Sequence, residues 1–133
     1  MLRRSMLAAP LLAALAACQS PTDRGARMQE QISMVFFTKD SAAIGPEARA
    51  TVAKAATRAR TRPGTPVVVR GLATPDGSVG FNRALSEARA RNVADALVAA
   101  GVGSDRIRLQ PRGPVPFEAM PVESRTVEIR VGE

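Results

Sequence analysis

Apolar and polar positions along the chain follow two rhythms, and their alternation predicts the order of elements. Ile32 to Phe37 is an apolar run of strand length. Gly45-Pro46-Glu47 opens a helix, with proline at its first position and an acid in its first turn. Ala48, Val52, Ala55, Ala56 and Ala59 then recur on one helical face, and a face made mostly of alanine predicts close approach to a sheet. Arg62-Pro63-Gly64 ends this helix. Val67-Val68-Val69 is a continuous β-branched run, as in a strand covered on both sides. Thr74-Pro75-Asp76-Gly77 has turn chemistry and leads to a second helix that closes near Ala100-Gly101, with glycine at its end. Ile107 to Arg112 forms a third strand. Thr126 to Val131 alternates Val127, Ile129 and Val131 with Glu128 and Arg130, a half-buried strand. The order is β-α-β-α-β-β, which predicts an α/β sandwich with two helices on one sheet.

The second helix carries one residue that breaks its pattern. Phe81, Leu85, Ala88, Val93, Ala96, Leu97 and Ala100 occupy a broad apolar arc. Arg89 falls inside it, roughly 40° from Leu85, whereas Arg83, Glu87, Arg91 and Asp95 lie on or near the opposite side. A guanidinium on a buried face needs an anion or carbonyl groups, because an unpaired buried charge is very costly. Three partners stay open at this level: a group of the protein, a ligand carboxylate, or solvent reached by a snorkelling side chain.

Residues 1–17 have the three-part plan of an export leader: Arg3 and Arg4, an apolar run from Met6 to Ala17, then small residues. The run is too short to span a bilayer, which takes about 20 apolar residues. Leu15-Ala16-Ala17-Cys18 resembles a lipobox, and this implies cleavage before Cys18 and lipid on that cysteine. An ordinary leader with a free Cys18 thiol is the alternative. In lipoproteins an acid after the cysteine favours the inner membrane; Gln19 stands there, so the resemblance implies the outer one. Residues 18–30 form the lipidated cysteine and a polar linker, of which about 12 extended residues reach roughly 40 Å. Residues 31–133 are the folded domain, of ordinary single-domain size.

Composition narrows the chemistry. The chain has 19 basic and 12 acidic residues, a net charge of +7, and loss of Arg3 and Arg4 with the leader leaves 17 against 12. Such an exported chain suits anionic lipid or cell-wall polymer. Nucleic acid is not expected as a partner: export removes the opportunity, and there is no Trp or Tyr for base stacking. An enzyme is not expected either. There is no His, and the single Cys is assigned to the anchor, so nucleophilic catalysis lacks a base. No cluster has metal-ligand spacing and no cofactor is implied. The basic run Arg49, Lys54, Arg58, Arg60 and Arg62 fits either a solvated helix face or an anionic surface.

The stretch Gly71 to Val93, with Asn82, Leu85, Ser86, Arg89, Ala90 and Val93, resembles without a gap the motif G-x-T-D-x-x-G-x-x-x-x-N-x-x-L-S-x-x-R-A-x-x-V of OmpA-like C-terminal domains. The likeness runs from about Val35 to Val131, with Asp40-Ser41-Ala42 and Pro46-Glu47-Ala48 near the front and Arg125-Thr126-Val127-Glu128-Ile129 at the back. With a lipidated cysteine, the chain is similar to peptidoglycan-associated lipoproteins. The resemblance implies two helices on one mixed sheet and non-covalent binding of the diaminopimelate in peptidoglycan stem peptides. Arg89 would hold a ligand carboxylate, with Asn82 and Arg125 nearby.

The chain departs from the motif where the ligand's ammonium would be met. Thr74 stands at the position of the family's Asp, and Leu72 where His is frequent. Asp76 is two residues on, as a substitute for that carboxylate or as a turn residue. Ser124 and Thr126 replace polar or basic motif residues, and the segment from Gly113 to Glu123 is short and proline-rich. Two functions are therefore expected in competition. One is an outer-membrane lipoprotein, its domain facing the periplasm, that tethers the membrane to peptidoglycan. The other is a domain that has lost wall binding and acts as a protein-interaction module of an envelope or secretion assembly.

Overall fold

A computed structural model describes residues 32–73, 78–114 and 125–132. Four strands form one sheet: β1 (Ile32–Phe36), β2 (Val67–Ala73), β3 (Ile107–Pro114) and β4 (Thr126–Val131), in the order β1-β4-β2-β3. Strand β4 inserts antiparallel between β1 and β2, while β2 and β3 run parallel. Helix α1 (Pro46–Thr61) links β1 to β2, and helix α2 (Val79–Ala99) links β2 to β3. The mixed sheet with two helices is the expected architecture. β2 and β3 each run beyond the expected apolar cores, to Ala73 and Pro114, because ladder pairing continues where hydrophobicity stops.

The five apolar positions read for α1 are its buried residues: Ala48, Val52, Ala55, Ala56 and Ala59. They pack with Val35, Val67, Val69, Val93, Leu97, Val127, Ile129 and Val131 in one core between helices and sheet. Small α1 side chains bring the helix backbone near the strands, so branched strand residues supply most of the volume.

Helix α2 departs from its expected arc. Its buried residues are Ser86, Arg89, Ala90, Val93, Ala94 and Leu97, while Phe81 is exposed and Ala88 only partly buried. The buried face is set by close approach rather than by hydrophobicity. A Cβ on Gly71 of β2 would stand 2.5 Å from the Ser86 carbonyl oxygen, so helix and strand touch where neither carries bulk. The small Ser86 and Ala90 therefore turn inward, and Phe81 is carried to the outside.

Helix ends are held by named groups. Ser78 caps α2, its Oγ accepting from the Phe81 N–H. At the other end Gly101 takes φ +96, its N–H bonds the Val98 carbonyl, and the Val102 N–H bonds the Leu97 carbonyl. This is a Schellman motif, and buried Val102 completes it. Arg60 Nη1 donates to the Ala100 carbonyl at 2.8 Å, joining α1 to the end of α2. Arg106, in a 3-10 turn at Ser104–Arg106, donates to the carbonyls of Ala59, Arg62 and Thr65. Arg58 donates to Ser33 Oγ. The basic run on α1 is thus partly spent inside the fold.

Candidate functional site

Parallel β1 and β2 end at the same edge of the domain, and antiparallel β4 begins there. The Phe37 N–H donates to the Arg125 carbonyl at 2.9 Å, which sets the start of β4 beside the residue after β1. The segment between β1 and α1 is compact. Ser41 N–H bonds the Thr38 carbonyl, Ala43 N–H bonds Ser41 Oγ, and Asp40 takes the left-handed φ of 54. Asp tolerates that conformation better than most residues.

Arg89 reaches into this segment from α2. It is 3% exposed. Its Nε donates to the Ser41 carbonyl at 2.7 Å and its Nη2 to the Thr38 carbonyl at 3.0 Å. Its guanidinium carbon lies 5.3 Å from the centre of the Phe37 ring, a cation–π distance. One turn further on, Asn92 Nδ2 donates to the Ala42 carbonyl at 2.7 Å. Two side chains at i and i+3 on one helix thus fix three carbonyls of one loop. Of the partners open for Arg89 from sequence, carbonyl groups of the protein are the ones it takes. No described carboxylate lies at ion-pair distance from it.

Charged groups gather at this corner. Burial, and then the nearby Arg125, lower the Arg89 pKa from its ordinary value, while Asp40 raises it. Arginine stays charged regardless. Arg125, half-buried, and Asp40, exposed, are thus both near enough to act on Arg89 at this end of the sheet. Nε and Nη2 of Arg89 are engaged by carbonyls, and no hydrogen bond among the described residues uses Nη1.

Sequence reasoning named Arg89, Arg125 and Asn82, and the structure brings Arg89 and Arg125 together. Asn82 is half-buried in the first turn of α2, two turns before Arg89, where its N–H bonds the Ser78 carbonyl at 3.0 Å. Thr74, Asp76 and Cys18 lie outside the described residues. Leu72 is buried in β2 and Thr126 in β4. Phe37, Asp40, Ser41 and Asn92 were missed as neighbours of Arg89. Only Asn92 left a signal, its i+3 spacing from Arg89.

The model of the OmpA family matches residues 36–124, a span that holds both helices, β2, β3 and Arg89. The chain belongs to the OmpA family. This OmpA-family domain is 38% identical over 80 residues to the probable lipoprotein YiaD of Escherichia coli, an alignment covering 60% of this chain and 36% of that protein. The chain thus matches only about a third of the length of that curated relative. Among solved structures, the peptidoglycan-associated lipoprotein of Burkholderia pseudomallei is similar with a TM-score of 0.66 at 22% identity, over 74% of this chain and 89% of that one. The OmpA-like domain of FopA1 from Francisella tularensis gives 0.65 at 20% identity, over 77% and 74%. The periplasmic domain of Helicobacter pylori MotB gives 0.63 at 20%, over 76% and 74%. These likenesses fix the fold. OmpA-like domains are structural rather than catalytic.

Proposed function

We propose that this chain is a lipoprotein anchored through Cys18 in the outer membrane, whose domain holds the diaminopimelate end of peptidoglycan stem peptides. The carrying observation is the buried Arg89 guanidinium, held on the Thr38 and Ser41 carbonyls and over Phe37, whose N–H bonds the Arg125 carbonyl, with Asp40 in the same loop. A diaminopimelate end presents a carboxylate and an ammonium on one carbon. Two guanidinium groups suit the carboxylate, and Asp40 suits the ammonium that a neutral Thr74 cannot pair. Arg89, stacked on Phe37 and fixed by two carbonyls, offers a preorganised cation, and preorganisation lowers the entropic cost of binding.

Retention of the purified domain on isolated sacculi tests the reading. Arg125→Ala and Asp40→Asn change residues that are half-buried and exposed, so the fold should persist while retention falls several-fold. Retention of both variants equal to wild type would remove the assigned site. The anchor has its own check: metabolic labelling with a fatty acid should mark the chain and be lost in Cys18→Ala. The name of the Escherichia coli relative supports this part.

A second reading has a specific observation behind it. The Ser41 and Thr38 carbonyls already satisfy two donors of Arg89, so the residue works as a latch even without ligand. In that reading the domain is an interaction module of an envelope assembly. Thr74→Asp separates the two. A large gain in sacculus retention would mark the native site as impaired; little change would show that Asp40 already supplies the charge.

A further inference from the structure

The side of the domain formed by α2 and β3 has features that the Arg89 corner does not use. Strand β3 ends the sheet order, so no described strand pairs with its outer edge. Between this edge and α2 lies an open groove of about 190 Å³ lined by Gly71, Ser86, Glu87, Ala90, Arg91, Leu109 and Gln110. Its floor is bare by construction. Gly71 admits no side chain against Ser86, and Ser86 and Ala90 carry few atoms. Leu109 forms a wall and is 46% exposed.

We infer that the β3 edge and this groove receive an acidic, extended segment of another protein, added as a strand beside Ile107–Gln110. Every second residue of an edge strand turns its N–H and C=O outward, which gives an incoming strand its backbone bonds. Side chains of that strand alternate, so one in two faces the groove beside Leu109. Pro111 has no N–H to offer and limits the pairing stretch to about four residues.

Charge chooses the occupant. Arg91 and Glu87 on the rim pair with each other at 3.7 Å, while Arg70 is turned towards β3 by a 2.9 Å bond from its Nη2 to Gln110 Oε1. Arg108 is exposed on β3 itself. The edge is therefore net positive. A second copy paired along this edge would bring another Arg108 to the same short strand pair, and like charges brought together across a strand pair are destabilising. An acidic strand meets the same groups favourably, with an apolar residue for the groove.

The test uses the full chain, isotopically labelled, and two synthetic peptides. One is acetyl-Asp-Val-Glu-Leu-Glu-Val-Asp-amide; the other has lysine at each acidic position. Saturable amide shifts and slowed hydrogen exchange at Ile107–Gln110 with the acidic peptide alone are expected. Leu109→Ser, which removes the apolar wall without adding charge, should weaken that binding by about tenfold, a surface change that leaves the core intact. Arg108→Glu should weaken it as well. The inference is overturned if neither peptide binds saturably, if both bind equally, or if Leu109→Ser binds like wild type. It is overturned too if the peptide-free chain sediments as a dimer that Leu109→Ser dissociates, since the occupant is then a second copy.

Discussion

Gly71 and Arg89 are the two residues whose neighbours make them costly to change. At Gly71 a methyl group would meet the backbone oxygen of Ser86 at 2.5 Å as well as its hydroxyl at 2.6 Å. Gly71→Ala should therefore destabilise the domain by about 2–3 kcal/mol in a denaturant titration, as overpacking does. Pairing it with Ser86→Gly removes the hydroxyl contact but leaves the backbone clash, and should restore only part of the loss. Arg89 was legible as anomalous from sequence, since its periodicity puts a charge on an apolar arc. What it bonds was not legible. Its partners, Thr38 and Ser41, are carbonyls, and every residue owns a carbonyl whatever its side chain.

Among elements, the helices differ in how openly the sequence states them. Helix α1 declares its buried face because alanine and valine recur there at helical spacing, and of the apolar residues elsewhere only the small Ala50 and Ala53 are exposed. Helix α2 carries apolar residues around much of its circumference, so periodicity finds Val93, Leu97 and the buried Arg89 but draws the arc too wide and places Phe81 and Ala88 inward. Its end is easier to read, because Gly101 at φ +96 can be filled cheaply only by a residue without a side chain. Gly101→Ala should cost about 1 kcal/mol, read as a lowered denaturant midpoint with an unchanged slope. A larger loss would point to the Arg60 contact, since an added Cβ comes within 3.4 Å of that side chain.

For the whole molecule, charge and topology together decide what the domain can hold. The net charge of +7 states a preference for anionic partners but does not place them. Folding divides the cations. Arg60 and Arg106 are spent on helix-end carbonyls, Arg130 pairs with the buried Glu128 on the sheet, and Arg89 and Arg125 meet at one corner. If that corner holds a zwitterionic stem peptide, sacculus retention should fall with added salt only modestly. Arg89 is almost fully buried, and buried pairs are screened far less than surface ones. Retention that collapses between 0.05 and about 0.3 M salt would instead indicate diffuse attraction of the basic surface to the anionic wall.

By itself the sequence determined the class of fold, the order of its elements, the buried face of α1, the glycine end of α2 and the arginine that does not fit its surroundings. These are local properties, written in residue spacing, β-branching and turn chemistry. Only the tertiary structure decided that β4 lies between β1 and β2, that Gly71 against Ser86 sets the rotation of α2, and that Arg89 closes on a loop 48 residues away from it in the chain. Those outcomes depend on contacts between distant backbones, and backbone groups are the same at every position. The single cysteine and the leader-like pattern of residues 1–17 are read from the sequence alone; the corner that joins Arg89 to the Thr38–Ala42 loop belongs to the fold.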